Sequence, residues 1–394
     1  MKKLLVLGAG FLQDFVIQKG VSMGYEVLAV DADPNAVGFA HANKHAVVNI
    51  VDEEACLEYA KKEKIDGVIT AATDFGVLSA AYVAKKMGLP GLDYEVAKLI
   101  KNKYRVRKRL YEYHVDDSVQ AYEVNNLTDI DDLSQFLIYP VMVKPCDGSG
   151  SRGASRVEFS SDLHRACEYA IKGSATHRAE IETFIIGQEY GVESIVVDGS
   201  IYILAIMRKW MTDPPYYAEL GHAIPCGLPV KVEEKAKSCA RAAISALGIN
   251  FGSINMDILI TQDGKVHIID IGARMGGNLI GSHIIPYGTG IDYMGSMIKN
   301  SVGDSVDLSV KEHTAVATKI LAFNDGIVKK LPDKRTIETK YDVEIYHHLI
   351  EGMEIHEYHT NLDGYGYVVA RGITANDAEL RAMKTLESLK DLMF

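Results

Sequence analysis

Two aspartates stand on either side of a turn signal in the segment NMDILITQDGKVHIIDIGAR, residues 255–274. Asp263-Gly264 between two apolar runs predicts a β-hairpin with a two-residue loop. Counting outward from that loop puts Asp257 directly opposite Asp270. Opposed residues share one face of a sheet, with Cβ atoms about 4.5–5.5 Å apart, so two carboxylates there would repel each other. A divalent cation between them would compensate the charge, and the alternative is a wet sheet face on which both carboxylates are solvated.

A second segment, VKPCDGSGSRGASRV at residues 143–157, runs from a strand pattern into glycines and serines. Lys144 would end the strand. Glycines such as Gly153 let backbone N–H groups turn toward a phosphate, and Ser149 and Ser151 add donors. No G-K-[ST] sequence closes the loop, so it is not a P-loop. The order of lysine and then glycines favours phosphate contact over a plain surface loop.

Two other motifs are weaker. IETFIIGQEYGVE, residues 181–193, carries Glu182, Glu189 and Glu193, which suit hydrogen bonds to an amine and to sugar hydroxyls but also suit a solvated strand face. GAGFLQ, from Gly8, resembles a dinucleotide fingerprint, with Asp31 ending the next strand. Its third glycine is replaced by Gln13, so an NAD(P)-binding oxidoreductase is kept only as an alternative.

Composition narrows the class of protein. The chain has 394 residues, 47% of them hydrophobic and 24% charged, and a net charge of −11. That charge argues against a nucleic-acid partner, and no apolar run is long enough for a membrane span. Five widely spaced cysteines fit a reducing compartment, so we expect a cytoplasmic protein without membrane contact.

The elements that must position these residues follow in a clear order. Residues 1–95 alternate strand and helix patterns, which predicts a parallel sheet with helices on both faces. A charged helix, the Lys144 strand and a run of antiparallel strands with an Asp198-Gly199 hairpin come next. From about residue 312 further strands precede a last helix, for which Thr374 is the expected N-cap.

Taken in this order, the pieces resemble the ATP-grasp superfamily over nearly the whole chain. The resemblance implies an α/β fold that is α+β in its ATP-grasp part. It divides the chain into a Rossmann-like pre-ATP-grasp domain (1–98), an ATP-grasp domain of two subdomains (99–300, split at about 178/179) and a small C-terminal α+β lobe (301–394). ATP and Mg²⁺, or Mn²⁺, would be the cofactors.

The resemblance also implies roles for particular residues. NKYRVRKRLYEYHV contributes Lys103, which with Lys144 would bind phosphates. Glu182 would meet the adenine amine, Phe184 and Ile185 would line the base, and Glu189 would hold the ribose. Asp257 and Asp270 would hold the metal at the β- and γ-phosphates.

Within the superfamily, IDIGARMGG and GHAIP resemble L-amino acid ligases and related carboxylate–amine ligases, which share their core with carbamoyl-phosphate synthase large subunits. The implied reaction activates a carboxylate as an acylphosphate and joins it to an amine, with an amino acid expected on at least one side. ADP and phosphate are released. Lys144 and Arg274 would supply positive charge for the phosphoryl transfer. Arg274 would stabilise the acylphosphate or hold the carboxylate, and His222 and Arg208 would lie near the acceptor. Partners would be these small molecules, with a homodimer left open.

One position departs from the family pattern. The family has asparagine two residues after the second acid, where this chain has Gly272. The hairpin count places Asn255 opposite Gly272, so we expect its amide, or a water, to fill the missing metal-ligand position. The departure also keeps open a non-catalytic, ATP-binding regulatory protein.

Overall fold

The chain folds around three main β-sheets whose strands largely follow the apolar patterns. A computed structural model describes residues 1–116, 119–148, 152–214, 216–311, 313–361 and 363–394. The fold is mixed α/β, as expected. The predicted domain boundaries at residues 98, 178 and 300 stay predictions.

The first sheet is parallel, in the order β3-β2-β1-β4. Its apolar strands are buried because helices cover both faces, as in other parallel sheets. β3 is mostly exposed and lacks an apolar run, so the sequence pattern did not reveal it. The elements of this part are β1 (Lys3–Leu7), α1 (Phe11–Ser22), β2 (Glu26–Asp31), β3 (Lys44–Val47), α2 (Glu53–Glu63), β4 (Gly67–Thr70), α3 (Val77–Met87) and α4 (Tyr94–Ile100).

At the glycine motif before α1, side chains of the protein occupy or brace the loop that a dinucleotide would contact. Gln13 is buried, and its Nε2 donates to the Ala71 carbonyl at 2.7 Å. The Asp31 carboxylate accepts the backbone N–H groups of Ala9 at 2.8 Å and Asp33 at 2.9 Å. Glutamine therefore occupies the place of the third glycine and Asp31 braces the loop, which disfavours dinucleotide binding there.

The second sheet is antiparallel, in the order β5-β8-β6-β7. α7 packs its buried face against it, where Leu163, Cys167 and Ala170 join one core with Val143 and Ile181. The elements here are α5 (Lys103–Glu112), β5 (Ala121–Val124), α6 (Ile130–Ser134), β6 (Val141–Pro145), β7 (Ser155–Val157), α7 (Leu163–Gly173) and β8 (Ala179–Thr183).

The third sheet has eight strands in the order β13-β12-β9-β10-β11-β14-β18-β16, all antiparallel. The chain from residue 315 onward thus extends the sheet that carries the aspartates. Its first elements are β9 (Gln188–Val197), β10 (Ser200–Met211), β11 (Glu219–Ile224), α8 (Val230–Leu247), β12 (Gly252–Ile260), β13 (Val266–Gly272), α9 (Ile285–Thr289) and α10 (Tyr293–Ser301). The rest are β14 (Ala315–Ile320), β15 (Gly326–Ile327), α11 (Lys334–Tyr341), β16 (Val343–His347), β17 (Glu354–Ile355), β18 (Gly366–Gly372) and α12 (Ala375–Met393).

Two sequence signals in this part are confirmed. Asp198 and Gly199 form the two-residue loop between β9 and β10, both with positive φ. Thr374 caps α12 by accepting the Asp377 N–H at 3.1 Å. Within the described ranges, no helix combines the length and apolar character that a membrane crossing requires.

The β12–β13 hairpin pairs Asp257 with Asp270, as expected, but by a different route. Ile260 pairs with Val266, and the Thr261 N–H donates to the Lys265 carbonyl at 3.0 Å. The loop therefore has three residues, 262–264, and the predicted two-residue loop was wrong. Gly264 at its end has a φ of +74°, the left-handed conformation usual for such loops. A bulge at Ile269 then adds one residue to β13 and restores the expected register. The same register places Asn255 opposite Gly272.

A buried arginine joins the second sheet to this hairpin. Arg107, on α5, donates from Nε to Glu182 on β8 at 3.0 Å and from Nη1 to Asp116 at 3.0 Å. Its Nη2 donates to the Ile268 carbonyl on β13 at 2.6 Å. One guanidinium therefore holds together a helix and two sheets beneath the predicted nucleotide site.

Replacing Arg107 with alanine would leave Glu182 and Asp116 buried without their cation. We expect the free energy of unfolding to fall by about 3–5 kcal/mol, the usual cost of removing one partner of a buried ion pair. Denaturant unfolding measures it. Arg105→Ala, an exposed arginine on the same helix, is the matched control, and an equal loss in both variants would contradict this role.

Candidate active site

The predicted site residues converge on one cavity of about 830 Å³ between the three sheets, within the usual range for small-molecule sites. β6 and β8 form one wall, β10 to β13 form the floor, and loops of the first sheet close one end. The predicted residues that line it are Lys103, Lys144, Glu182, Phe184, Ile185, Glu189, His222, Asn255, Asp257, Asp270 and Arg274.

Four predicted residues are not placed in the cavity lining. Ser149 and Ser151 lie outside the described residues. Gly153 has a φ of +76° and packs so closely on Pro145 that a Cβ there would lie 2.6 Å from its Cγ. Its lack of a side chain lets the loop approach the residue next to Lys144. Arg208 lies on the other face of β10.

Arg208 was expected near the acceptor, and the structure corrects this placement. Its Nη1 donates to Asn376 Oδ1 at 2.9 Å, on α12. Side chains alternate along a strand, so the next residue, Lys209, points into the cavity instead. The sequence motif indicated the right strand but the wrong face.

Beside β6 and β8, two cations bind the same carboxylate, that of Glu182. Lys144 Nζ donates to Glu182 Oε1 at 2.6 Å, while Arg107 binds the other oxygen. Burial raises the pKa of Glu182, but Lys144 and Arg107 outweigh it and hold the pKa below its usual value. An adenine amine would therefore share a carboxylate that already binds two cations. Phe184 lies beside it, with the Arg156 guanidinium 4.3 Å above its ring.

The opposed aspartates are each paired with a different lysine. Lys103 Nζ binds Asp270, and the Ile271 N–H donates to the same carboxylate at 3.0 Å. Burial raises the pKa of Asp270, but Lys103 and Lys144 together bring it below its ordinary value. Lys209 Nζ lies 2.7 Å from Asp257 Oδ1. Burial nevertheless raises the pKa of Asp257 to about 7, against the effect of Lys209.

Lys209 was missed by the sequence reading and is central to the site. Its buried ammonium lies within 2.7 Å of Asp257, 2.6 Å of Glu189 and 2.7 Å of Glu219. Burial lowers the pKa of Lys209, but the three carboxylates raise it well above its usual value. A lysine within the apolar run ILAIMRKWM was the available signal, since an inward-facing cation there needs buried acids.

Arg274 forms a two-pronged ion pair with the first sheet. Its Nε and Nη2 lie 2.9 and 3.0 Å from the two oxygens of Asp74, in the loop after β4. Its Nη1 donates to Asn255 Oδ1 at 3.3 Å, and Asn255 Nδ2 donates to Glu193 at 2.9 Å. The Asn255 oxygen is thus directed at Arg274, and its role as a metal ligand stays a prediction.

The glycine in place of the family's asparagine has a local cause. A Cβ at Gly272 would lie 2.9 Å from Asp74 Oδ1 and 3.2 Å from Arg274 Cζ. The Asp74–Arg274 pair therefore fills the space that a larger residue at position 272 would need. Gly272 therefore leaves room for the ion pair, and the non-catalytic alternative stays open to a turnover test.

Another part of the cavity, where we predict the acceptor to bind, is lined by Glu219, Asn278, Tyr367 and His222. Asn278 Nδ2 donates to Glu219, and its Oδ1 accepts from the Tyr367 hydroxyl at 3.1 Å. Burial raises the pKa of Glu219, but Lys209 and His222 hold it down at about 2, so this carboxylate is ionised. Burial lowers the pKa of His222 to about 4, so its ring is neutral at pH 7.

The carboxylate oxygens in the cavity suit a Mg²⁺ ion that is bound partly by the phosphates of a nucleotide. Among the described residues, no three His, Cys, Asp or Glu side chains are grouped as a metal site. Asp257 and Asp270 offer carboxylate oxygens on one sheet face beside Lys103 and Lys144. Mg²⁺ accepts one or two protein carboxylates when phosphates and water complete its shell.

Comparisons with known proteins agree with this geometry. Residues 137–282 match the family model of the ATP-grasp domain. The chain is 25% identical to a formate-dependent phosphoribosylglycinamide formyltransferase of Sulfurisphaera tokodaii over 97% of this chain and 95% of that one. Its fold is similar to that of an L-amino acid ligase from Bacillus licheniformis, with a TM-score of 0.86 and 20% identity over 99% and 98% of the two chains. A phosphoribosylglycinamide synthetase from Anaerococcus prevotii gives 0.78 and 21% over 100% and 98%.

The match to the ATP-grasp domain covers residues 137–282, and both solved structures share the fold over nearly the whole chain. This chain carries the ATP-grasp domain and is an ATP-dependent ligase that activates a carboxylate and joins it to an amine. ATP with Mg²⁺ is what such enzymes use, and their substrates are small molecules.

Lys209→Met would leave three carboxylates facing each other in the cavity floor. We expect the free energy of unfolding to fall by about 3–5 kcal/mol at pH 8, where the acids are ionised. At pH 6 the loss should be smaller, because Asp257, whose pKa is about 7 even with the lysine present, is then mostly protonated. Thermal unfolding at both pH values tests this, with the exposed Lys231→Met on α8 as control. A loss that does not change with pH would contradict the electrostatic role.

Proposed function

We propose that the enzyme phosphorylates a substrate carboxylate with ATP and lets an amine attack the resulting acylphosphate, with an amino acid on at least one side. A carboxylate oxygen takes the γ-phosphoryl group while its bond to ADP breaks. The amine nitrogen then forms the C–N bond, loses a proton, and phosphate leaves. The observation that carries the proposal is one cavity that holds the opposed aspartates, the two phosphate-binding lysines and Arg274.

The nucleotide would lie along the wall formed by β6 and β8. Phe184 and Ile185 would contact the base and Glu182 its amine, while Glu189, now bound to Lys209, would meet the ribose. Lys103 and Lys144 would bind phosphates. When bound, Mg²⁺ would neutralise phosphate charge beside Asp257 and Asp270, with Asn255 as a further oxygen donor.

Arg274 is proposed to bind the substrate carboxylate or the acylphosphate. Its Nη2 donates to Asp74 Oδ2 at 3.0 Å and its Nε lies 2.9 Å from Oδ1, which supports a fork-like contact between this guanidinium and a carboxylate. A substrate carboxylate would take the place of Asp74. Since Arg274 also lies beside the aspartate pair, a bound carboxylate would face the transferring phosphoryl group.

Glu219 supports an amino compound as the acceptor. It is an ionised carboxylate at the far end of the cavity, held by Lys209 and Asn278. A carboxylate of this kind binds an ammonium group, and the neutral ring of His222 lines the same cavity. The name of the L-amino acid ligase that shares this fold agrees with amino acid substrates.

The two rival functions predict different results. An oxidoreductase would need the dinucleotide loop that Gln13 and Asp31 fill. A non-catalytic regulator would bind ATP without releasing ADP. A cytoplasmic location and a homodimer stay predictions. The described cysteines are all free, which is consistent with a reducing compartment.

A substrate screen tests the proposal. The protein is incubated with ATP, Mg²⁺ and pairs of amino acids, and with formate and phosphoribosylglycinamide because of the name of one relative. We expect ADP and a new amide mass, with ¹⁸O from a labelled carboxylate appearing in the released phosphate. AMP and pyrophosphate instead would contradict the acylphosphate.

Arg274→Lys separates turnover from nucleotide binding. Lysine keeps the charge but cannot form the two-pronged contact, so we expect turnover to fall at least about tenfold. The Kd for ATP should change less than about twofold, because the contact strengthens as charge develops. The exposed Arg105→Lys is the control. A loss of ATP binding equal to the loss of turnover would place Arg274 with the nucleotide instead.

A further inference from the structure

Glu180 is a buried carboxylate that the proposed chemistry does not use. It lies on β8 opposite Lys144 in the strand register and two residues before Glu182, on the same face of the sheet. It is fully buried, and neither of its oxygens has a hydrogen-bond partner among the described residues. Lys144 Nζ is 3.7 Å from Glu180 Oε2 but 2.6 Å from Glu182 Oε1. The phosphate-binding lysine therefore lies between two acids and hydrogen-bonds only one.

The charges around Glu180 are already matched without it. Four cationic side chains, from α5, β6 and the residue before β8, lie in this region, and each forms an ion pair with a carboxylate other than Glu180. The pairs are Lys103 with Asp270, Arg107 with Asp116, Lys144 with Glu182, and Arg178 with Glu123. His267, 2.9 Å from Asp116, is the further titratable group behind them. An ionised Glu180 would thus be an additional negative charge without a hydrogen bond.

Protonation relieves this imbalance. Burial raises the pKa of Glu180 to about 7, and Lys144 opposes the rise. Glu180 lines a small cavity of about 10 Å³ together with Lys103 and Lys144, the two lysines predicted to bind phosphates. Phosphates that approach these lysines add negative charge at the same place, and that favours the neutral form of Glu180.

We propose that Glu180 is a positioning residue that binds a proton from solvent when ATP binds, which removes one of the two negative charges beside the Lys144 ammonium as phosphates approach it. In its ionised form Glu180 competes with the nucleotide for Lys144; in its neutral form it does not. The inference rests on the proposed function only in placing phosphates at Lys144. It gives ATP binding a pH dependence that arises from a residue outside the nucleotide contacts.

Calorimetric titration with ATP at pH 8, with EDTA present, tests the proposal in two buffers of different ionisation enthalpy. At this pH the terminal phosphate of ATP is ionised and so is most of the free Glu180. We expect wild type to take up about one proton per ATP, and Glu180→Gln and Glu180→Met to take up at least about half a proton less. ATP affinity of both variants should vary less between pH 6.5 and 8.5 than that of wild type. Glu58→Gln, an exposed acid on α2, should behave as wild type.

Two results would overturn the proposal, and a third concerns a different claim. Wild type that binds ATP without taking up a proton sinks it even if neither variant folds. Equal uptake by wild type and the Glu180 variants assigns the proton to another acid, such as Glu193, and also overturns it. Failure of wild type to bind ATP both with EDTA and with Mg²⁺ contradicts the proposed function itself.

Discussion

The constraint on which the site depends is the placement of two carboxylates opposite each other on a buried sheet. Asp257 and Asp270 face one cavity from neighbouring strands and are partly buried, so each carboxylate is stabilised by a cation. Lys209 reaches Asp257 from β10, and Lys103 reaches Asp270 from α5. The need for these cations ties the hairpin to the middle of the eight-stranded sheet on one side and to the second sheet on the other.

The two lysine–aspartate pairs explain how the site can be stable before ATP binds and still accept a highly charged ligand. Buried ion pairs contribute little net stability, because the cost of desolvation offsets the attraction, yet breaking one is expensive. Lysines released from carboxylates are immediately available to phosphates, and the carboxylates are then available to a cation. On the proposed binding mode, Mg-ATP would exchange one set of charge partners for another, without burying uncompensated charge.

Sequence predicted the local parts of this arrangement and missed the distant ones. The Asp257–Asp270 pairing was correct only because the Ile269 bulge offset a three-residue loop, and neither feature has a sequence signal of its own. Arg208 and Lys209 are neighbours in a strand, so an error of one residue selects the opposite face. Asp74 lies 200 positions from Arg274 and no spacing rule connects them, which is also why Gly272 looked like a defect. Gln13, by contrast, was readable as a departure from the dinucleotide pattern, and the structure shows what it fills.

The most direct test of this account is whether the opposed aspartates make ATP binding depend on Mg²⁺. The Kd for ATP is measured with Mg²⁺ and with EDTA in wild type, Asp257→Asn and Asp270→Asn, with Asp263→Asn in the exposed hairpin loop as control. We expect Mg²⁺ to tighten binding in wild type and in the control, by about tenfold or more, and to have little effect in either aspartate variant. An unchanged Mg²⁺ effect in both aspartate variants would contradict the claim that this pair holds the metal-bound nucleotide.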